Sequence, residues 1–293
     1  MIWLVLYLFL LFKGNYAKNS NAYDNLIQWM QSNGGYINDK LVPIEKIPTN
    51  RYIITKEKIK QNEEILFIPN EISISIVNKK ISQICRKIFG YAEGNDFNCV
   101  VYYMLIDKYS KKSFFATYYK YLPKIDKDTT PLYFNSFLLT YYKVTEIDKE
   151  ISTAKRYLES SYEDIRPNLP LMITFDDFKE TFQIVISRNF GCRESIFPEI
   201  DSMMPYLDLF NHVNDNNTYY YYDDRRDGFV LYAIRDISKN EEVTVSYGSH
   251  HNLYLFTAYG FTLKNNKFKS SLTLYLKDQR FTLNGYVKEE DIF

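Results

Sequence analysis

Cysteine, glycine and tryptophan are scarce in this chain of 293 residues, with 3, 10 and 2 copies respectively. Cys85, Cys99 and Cys192 are scattered, odd in number and never in C-x-x-C spacing. This pattern argues against a structural zinc site and against a disulfide framework. We therefore expect buried free thiols, because cysteine is among the most frequently buried residue types. The histidines also lack metal-ligand spacing, and we expect His250 and His251 at the surface.

The chain has no excess of either charge. Lys+Arg and Asp+Glu both number 36, so the formal net charge is zero. Strong nonspecific binding of nucleic acid by the whole chain is therefore not expected. A hydrophobic fraction of 46% and a charged fraction of 25% are those of an ordinary globular protein. The length allows one large domain or two small ones.

Long hydrophobic runs are missing except at residues 2–12. That run suits the core of a signal peptide and is too short to span a bilayer core of about 30 Å. We expect residues 1–20 to be a signal peptide or short hydrophobic leader, with possible membrane targeting and no transmembrane span. A buried N-terminal strand and a wrongly chosen start are the alternatives. A leader points towards the secretory route or a plastid-type organelle; without it, the cytoplasm or nucleus is expected.

Hydrophobic periodicity predicts small β units on both sides of a helical segment. Tyr23, Leu26 and Met30 follow helical spacing and predict a short opening helix. The segment from about 82 to 190 is mainly helical in pattern. Short β-branched runs predict strands at 52–55, 65–68, 72–76, 229–234 and 242–246, and a last helix is predicted over 252–259.

A short sequence repeat predicts two similar turns. Residues 59–65 read IKQNEEI and residues 237–243 read ISKNEEV. Asn62 and Asn240 occupy the position where such a turn needs a positive φ, which asparagine tolerates better than other non-glycine residues.

An Asn-His pair followed by two Tyr-Gly pairs is the most informative pattern. Asp208, Asn211 and His212 form a D-x-x-N-H motif, and Tyr247 and Tyr259 each precede a glycine. The pattern is a poor one for hydrolysis. It suits the handling of a methyl sulfonium beside an aromatic channel, because aromatic faces favour cations.

In order and spacing these motifs resemble the SET-domain methyltransferases. The resemblance is to the branch with a helical insertion, typified by the Rubisco large-subunit lysine methyltransferases and the actin-histidine methyltransferase. Trp29 lies in the opening helix, and Ile68-Pro69 closes a stretch similar to the family's A-x-x-D-I-x-x-G-E-x-x-x-x-I-P. Ser187-Arg188 matches the family's Ser-Arg, and Phe261 completes its Tyr-Gly-Phe.

The resemblance implies an α+β fold. Small β-sheets would surround a threaded C-terminal segment, in a SET domain over residues 24–268 with a long helical insertion at about 82–190. Residues 269–293 would begin a truncated C-terminal substrate-binding lobe. A monomer is expected.

The resemblance also implies a function, the transfer of methyl groups from S-adenosylmethionine (AdoMet) to a lysine-bearing protein substrate. Tyr247 would be the catalytic tyrosine and Tyr259 would help to wall the lysine channel. Arg188, near the cofactor carboxylate or the substrate end, and Asp208, as a polar pocket wall, would contact the substrate. The implied cofactor-binding residues are Asn50, Arg51, Tyr52, Asn211, His212 and Phe261.

Other interpretations of these residues remain open. Taken alone, His212 is more often a satisfied core histidine, and one tyrosine among 28 is usually a packing residue. Arg188 near a helix end also complements the helix dipole. The chain could be a degenerate SET domain that binds peptides without catalysis, or a protein-histidine N-methyltransferase.

Overall fold

The computed structural model describes residues 22–47, 50–90, 96–142, 146–192, 200–268, 270–276 and 279–285. The leader predicted at residues 1–20 lies outside these ranges. Within them, no helix is long and apolar enough to cross a membrane.

The opening helix α1 (Asp24–Ser32) forms as predicted and anchors the N-terminal side of the core. Leu26 and Met30, one helical turn apart, are fully buried. The helix ends where Gly34 adopts φ +84°, and the N–H of Gly35 then donates to the carbonyl of Met30 at 2.9 Å. A positive φ at this point is the usual way to end a helix, and glycine adopts it without steric cost.

Within the described ranges, three small sheets and a two-stranded hairpin make up the β structure. The first sheet has the order β1 (Tyr36–Ile37), β4 (Glu64–Pro69), β10 (Gly228–Ala233), β9 (Thr218–Asp223). The second has the order β2 (Leu41–Ile47), β3 (Asn50–Thr55), β11 (Glu242–Val245), β8 (Asn211–His212). The third has the order β5 (Ile74–Ser75), β7 (Ile200–Met203), β6 (Asn189–Cys192), and β12 (Ser270–Leu276) pairs with β13 (Gln279–Gly285).

The described residues of the predicted helical segment form six α-helices. They are α2 (Lys79–Phe89), α3 (Asp96–Lys108), α4 (Ala116–Tyr119), α5 (Ser136–Tyr142), α6 (Glu146–Ile165) and α7 (Phe175–Arg188). Helix α3 is buried on most sides and therefore lies at the centre of the insertion. Thr174 and Asp177 form a capping box that fixes the start of α7. The mixed α+β class of small sheets with a helical insertion is thus confirmed.

The sequence repeat forms two turns that face each other. Ile59 and Ile237 make an antiparallel bridge, with their N–H groups donating to each other's carbonyl at 3.0 and 2.9 Å. Asn62 and Asn240 both have φ +65°, as predicted. The N–H of Asn240 donates to the carbonyl of Thr55 at 2.8 Å, so the second turn joins β11 to β3.

Two sequence expectations about the fold are wrong. Residues 72–76 were expected to form a half-buried strand, but Asn70–Ile72 is a 3₁₀ turn and only Ile74–Ser75 pairs, with both side chains buried. The expectation of free thiols also fails for two of the three cysteines, because Cys85 and Cys99 form a disulfide, whereas for Cys192 it stays a prediction. Helices α2 and α3 bring their Cα atoms to 5.5 Å, which is within disulfide range. Sequence spacing carries no information on this approach of two helices.

Candidate active site

The Asn-His motif and the first Tyr-Gly motif meet through a parallel strand pair. Strand β8 lies beside β11, with Asn211 opposite Thr244 and His212 opposite Val245. Tyr247 lies two positions beyond the end of β11, and this places it next to His212. The Asn211 amide donates to the carbonyl of Arg51 at 3.0 Å, which joins the motif to strand β3.

Tyr247 lies in the middle of an aromatic stack. Its ring centroid is 5.2 Å from that of His212 and 5.1 Å from that of Tyr259, with interplanar angles of 20° and 25°. Phe261 is 6.1 Å from Tyr259 and 6.4 Å from Tyr247. The structure therefore brings together four predicted site residues that span about fifty positions of sequence.

The hydroxyl of Tyr247 is oriented and neutral. It donates to the carbonyl oxygen of Phe210 at 2.7 Å. Burial raises the pKa of Tyr247 to about 12, with the nearby Asp208 carboxylate adding to the rise and Arg188 opposing it. At neutral pH the group is a phenol with its lone pairs free for a further contact.

His212 is held as a neutral ring. The N–H of Tyr247 donates to its Nδ1 at 3.2 Å, and burial lowers the pKa of the imidazole. Nδ1 also lies 3.4 Å from the carbonyl oxygen of Val245, so the two contacts are compatible with a proton on either ring nitrogen. Nε2 is buried and finds no hydrogen-bond partner within the described part of the chain. The imidazole therefore has one buried ring nitrogen to which a ligand can hydrogen-bond.

Gly248 allows a second histidine to approach the site. Its φ is +119°, and a Cβ there would lie 2.6 Å from Nε2 of His250. That nitrogen is 2.9 Å from the carbonyl oxygen of Tyr247, and the ring stacks on Tyr254 at 4.3 Å. The expectation that both neighbouring histidines lie at the surface is wrong. His250 packs against the site, and Nδ1 of His251 accepts from the Tyr254 N–H at the start of α8 (Asn252–Tyr254).

Tyr259 and Phe261 follow α8. The helix continues as a π-helix over Leu255–Tyr259 and ends at Gly260, which has φ +79°. Burial strongly raises the pKa of Tyr259, so this phenol is also neutral.

A charged cluster lies beneath the aromatic stack. The carboxylate of Asp208 is almost completely buried and accepts from the Tyr118 hydroxyl at 3.0 Å. Arg188 Nη1 donates to the Asp208 carbonyl at 2.6 Å and lies 3.8 Å from its carboxylate. Burial raises the pKa of Asp208, while Arg188 and Arg51 oppose the rise.

Several atoms of this cluster are buried and without partners among the described residues. They are Nη2 of Arg51, Nε of Arg188 and Oδ1 of Asp208. Arg51 uses Nη1 to donate to the carbonyl of Tyr121 at 2.6 Å. Buried guanidinium donors are costly to leave unmet, and a carboxylate ligand satisfies them well. Two guanidinium groups face one carboxylate in this cluster, and the Glu242 carboxylate lies close by, where it accepts from the Asn211 amide at 2.9 Å.

The predicted cofactor wall at residues 50–52 is a strand. Asn50 pairs with Ile47 at the start of β3, and Tyr52 pairs with Ile44. Arg51 reaches the site through its carbonyl, which Asn211 contacts, and through its side chain.

Two site residues escaped the sequence analysis. Phe190 packs edge-on against Tyr247 at 6.1 Å, and Tyr118 holds Asp208 from the helical insertion. Phe190 follows the Ser-Arg motif by two residues and could have been found from it. Tyr118 is one of two adjacent tyrosines in α4 and has no motif to distinguish it.

Comparison with known proteins gives a consistent set of relatives. SET domain-containing protein 4 of Artemia parthenogenetica is 23% identical over 256 residues, covering 83% of this chain and 63% of that protein. Actin-histidine N-methyltransferase of Canis lupus familiaris is 23% identical over 298 residues, covering 92% of this chain and 48% of that protein. The chain thus spans about half to two-thirds of the length of these relatives.

Solved structures show the same fold. The SET domain of LSMT bound to lysine and AdoHcy superposes with a TM-score of 0.68 at 20% identity, covering 88% of this chain and 61% of that one. Rubisco LSMT bound to AdoMet gives a TM-score of 0.65 at 21% identity, covering 86% and 59%. The cofactor predicted from the resemblance is the one that this second structure holds. The SET domain model matches residues 50–248, well over half of the chain, and the chain therefore belongs to the SET-domain family of methyltransferases.

Proposed function

We propose that this chain is an AdoMet-dependent protein-lysine N-methyltransferase with Tyr247 as its catalytic tyrosine. The observation that carries the proposal is the neutral Tyr247 phenol, fixed by Phe210 and held between the rings of His212 and Tyr259. A fixed hydroxyl dipole is suited to stabilising charge that changes during methyl transfer, because its orientation costs no reorganisation.

The unmet donors fit AdoMet. When bound, AdoMet supplies an electrophilic methyl group on a sulfonium. Nε of Arg188 and Nη2 of Arg51 would hold its carboxylate. Nε2 of His212 offers a further buried polar atom, and Phe261 offers an aromatic face for the adenine. Asn211 donates to the Arg51 carbonyl and would thereby hold β8 and β3 in fixed positions on either side of this site.

Lysine fits the aromatic side of the site. Tyr247, Tyr259 and Phe190 present ring surfaces close together, and such surfaces favour an ammonium or methylammonium group. The amine must lose its proton before it attacks, and an apolar channel lowers an amine pKa by desolvation. A phenol with its pKa raised to about 12 does not take that proton at neutral pH, so water would carry it away.

Relatives of this chain are linked to both lysine and histidine as methyl acceptors. A lysine is bound in the solved LSMT domain, whereas the canine relative is named for histidine methylation. We also propose residues 24–268 as the SET domain, with residues 269–293 leading into a substrate-binding region.

The test is methyl transfer from isotopically labelled AdoMet to a mixture of lysine- and histidine-containing peptides and proteins, with mass spectrometry to locate the methyl group. We expect label on lysine Nζ. Tyr247→Phe should slow transfer about a hundredfold, the usual cost of removing one oriented dipole at a reacting centre. Tyr221→Phe, which alters an exposed tyrosine on β9, is the matched control. Label on histidine would show that histidine, and not lysine, accepts the methyl group. Full activity of Tyr247→Phe would show that Tyr247 is not the catalytic tyrosine.

A further inference from the structure

A cavity of about 330 Å³ opens between the helical insertion and the segment that carries Tyr259. Helix α6 contributes Glu150 and Tyr157 to its wall, β7 contributes Asp201, and α8 contributes Tyr254. The volume is at the lower end of the usual range of ligand pockets, about 300–1,000 Å³. It is therefore suited to one long side chain and not to a large cofactor.

The chemistry of the wall favours a cation. Glu150 and Asp201 are carboxylates, and no Lys, Arg or His is among the described residues that line the cavity. Burial raises the pKa of Tyr254, and Asp201 and Glu150 both raise it further, so both carboxylates lie within electrostatic range of one hydroxyl. The rings of Tyr157 and Tyr254 add aromatic surface, which also attracts cations.

Asp201 is oriented within this cavity. Its carboxylate accepts a hydrogen bond from the amide of Asn189, which itself lines the cavity. Gln183, which also lines the cavity, donates to the carbonyl of Ala258 at 2.9 Å and so ties α7 to the π-helix. The walls are thus held by contacts between separate elements, and the cavity does not depend on a single loop.

The cavity lies beside the methyl-transfer centre. The ring of Tyr254 is 6.2 Å from that of Tyr259, which is 5.1 Å from that of Tyr247. An extended peptide advances about 3.3–3.6 Å per residue, so three to four residues cover the two steps. A side chain at that distance from the methylated residue can reach the cavity.

We propose that this cavity is a subsite for one arginine or lysine side chain of the substrate, three to four residues from the methylated lysine. The spacing between the basic residue and the methylated lysine rests on the proposed function. The binding of the basic side chain in the cavity is a separate property. It gives the enzyme a preference for substrates with a second positive charge near the target.

The test uses neutral peptides with one central lysine and a single arginine placed in turn at each position up to five residues on either side. Matched peptides carry glutamine in place of the arginine. Binding to the full chain is measured by fluorescence anisotropy, and methyl transfer is measured in parallel with labelled AdoMet. We expect arginine at one position, three or four residues from the lysine, to strengthen binding about tenfold over glutamine, as a charge-assisted pair does.

Substitutions identify the cavity as the source of this preference. Glu150→Gln and Asp201→Asn should each reduce the arginine-to-glutamine ratio to about two or less. Glu159→Gln, an exposed change on the same helix, should leave it at about ten. Because Asp201 is hydrogen-bonded to Asn189, Glu150→Gln is decisive if Asp201→Asn lowers stability.

The outcomes separate the two proposals. An arginine preference in binding without methyl transfer to any peptide would refute the proposed function and keep the subsite. Equal binding of arginine and glutamine peptides, or a preference that Glu150→Gln leaves intact, would overturn the subsite even if methyl transfer is observed.

Discussion

Tyr118→Phe tests the buried charged cluster in depth. The change removes the hydroxyl that donates to the Asp208 carboxylate at 3.0 Å, and both side chains are buried. A hydrogen bond to a charged group contributes about 1.5–3 kcal/mol, and a buried carboxylate that loses a donor keeps its desolvation cost. The other carboxylate oxygen already lacks a partner within the described residues. We expect a loss of about 2–3 kcal/mol in the free energy of unfolding near pH 7.

The loss depends on pH in a defined direction. Burial raises the pKa of Asp208 in the folded state, so this carboxyl stabilises the fold at low pH, and that stabilisation is lost as pH rises through its folded pKa. The Tyr118 hydroxyl favours the ionised form, so Tyr118→Phe raises this pKa further. The loss in the free energy of unfolding is therefore largest at pH values above the pKa that Asp208 has in the folded protein. It shrinks as the pH falls through that pKa.

Urea unfolding of wild type and variant between about pH 4 and pH 8 measures both effects. Tyr119→Phe is the matched control, because the neighbouring Tyr119 donates at 2.9 Å to Asp107, a half-exposed carboxylate that Ser113 also contacts. We expect the control to lose about 1 kcal/mol. A loss below about 0.5 kcal/mol for Tyr118→Phe, or the same loss at both ends of the pH range, would refute this account of the cluster.

Three further changes test local parts of the structure. Gly248→Ala should lower stability by about 1–3 kcal/mol and displace His250, because it combines a positive φ with a 2.6 Å clash; an unchanged melting temperature would argue against this backbone path. Replacing Cys85 and Cys99 by serine should lower the free energy of unfolding by about 3 kcal/mol, which is the chain-entropy value for a loop closed over 14 residues. Unfolding that does not respond to reductant would show that the disulfide is not formed. Asn62→Gly should be close to neutral and Asn62→Val should cost about 1–2 kcal/mol, since φ is +65°; equal unfolding midpoints would contradict the turn conformation.

The ordered motifs pointed to residues that the structure brings together around Tyr247. The motifs of Asn211, His212, Tyr247 and Tyr259 carry backbone demands, because each includes a paired strand, a turn or a glycine that fixes its geometry. Such local demands are visible in the sequence. The parallel pairing of β8 with β11 then brings the motifs together, and this could be anticipated only through the family resemblance.

The parts that sequence could not predict depend on long-range packing. Tyr118 and Asp208 are 90 positions apart and meet only because α4 packs beneath the site. Cys85 and Cys99 pair because two helices approach closely, while spacing rules address only zinc sites and disulfide-rich scaffolds. The alternating pattern at residues 72–76 failed for a related reason, since neighbouring elements bury Ser73 and Ser75 as completely as Ile72 and Ile74.

Isothermal titration of the purified chain with AdoMet tests the central claim most directly, because every assigned role depends on the cofactor site. The account predicts saturable binding with a Kd below about 100 μM, and a loss of at least about tenfold in Arg188→Met, which removes the buried donor that we propose for the cofactor carboxylate. Tyr221→Phe should bind like the wild type, because Tyr221 lies on the exposed edge strand β9. No heat of binding and no protection from thermal unfolding at about 1 mM AdoMet would contradict the assignment of this site.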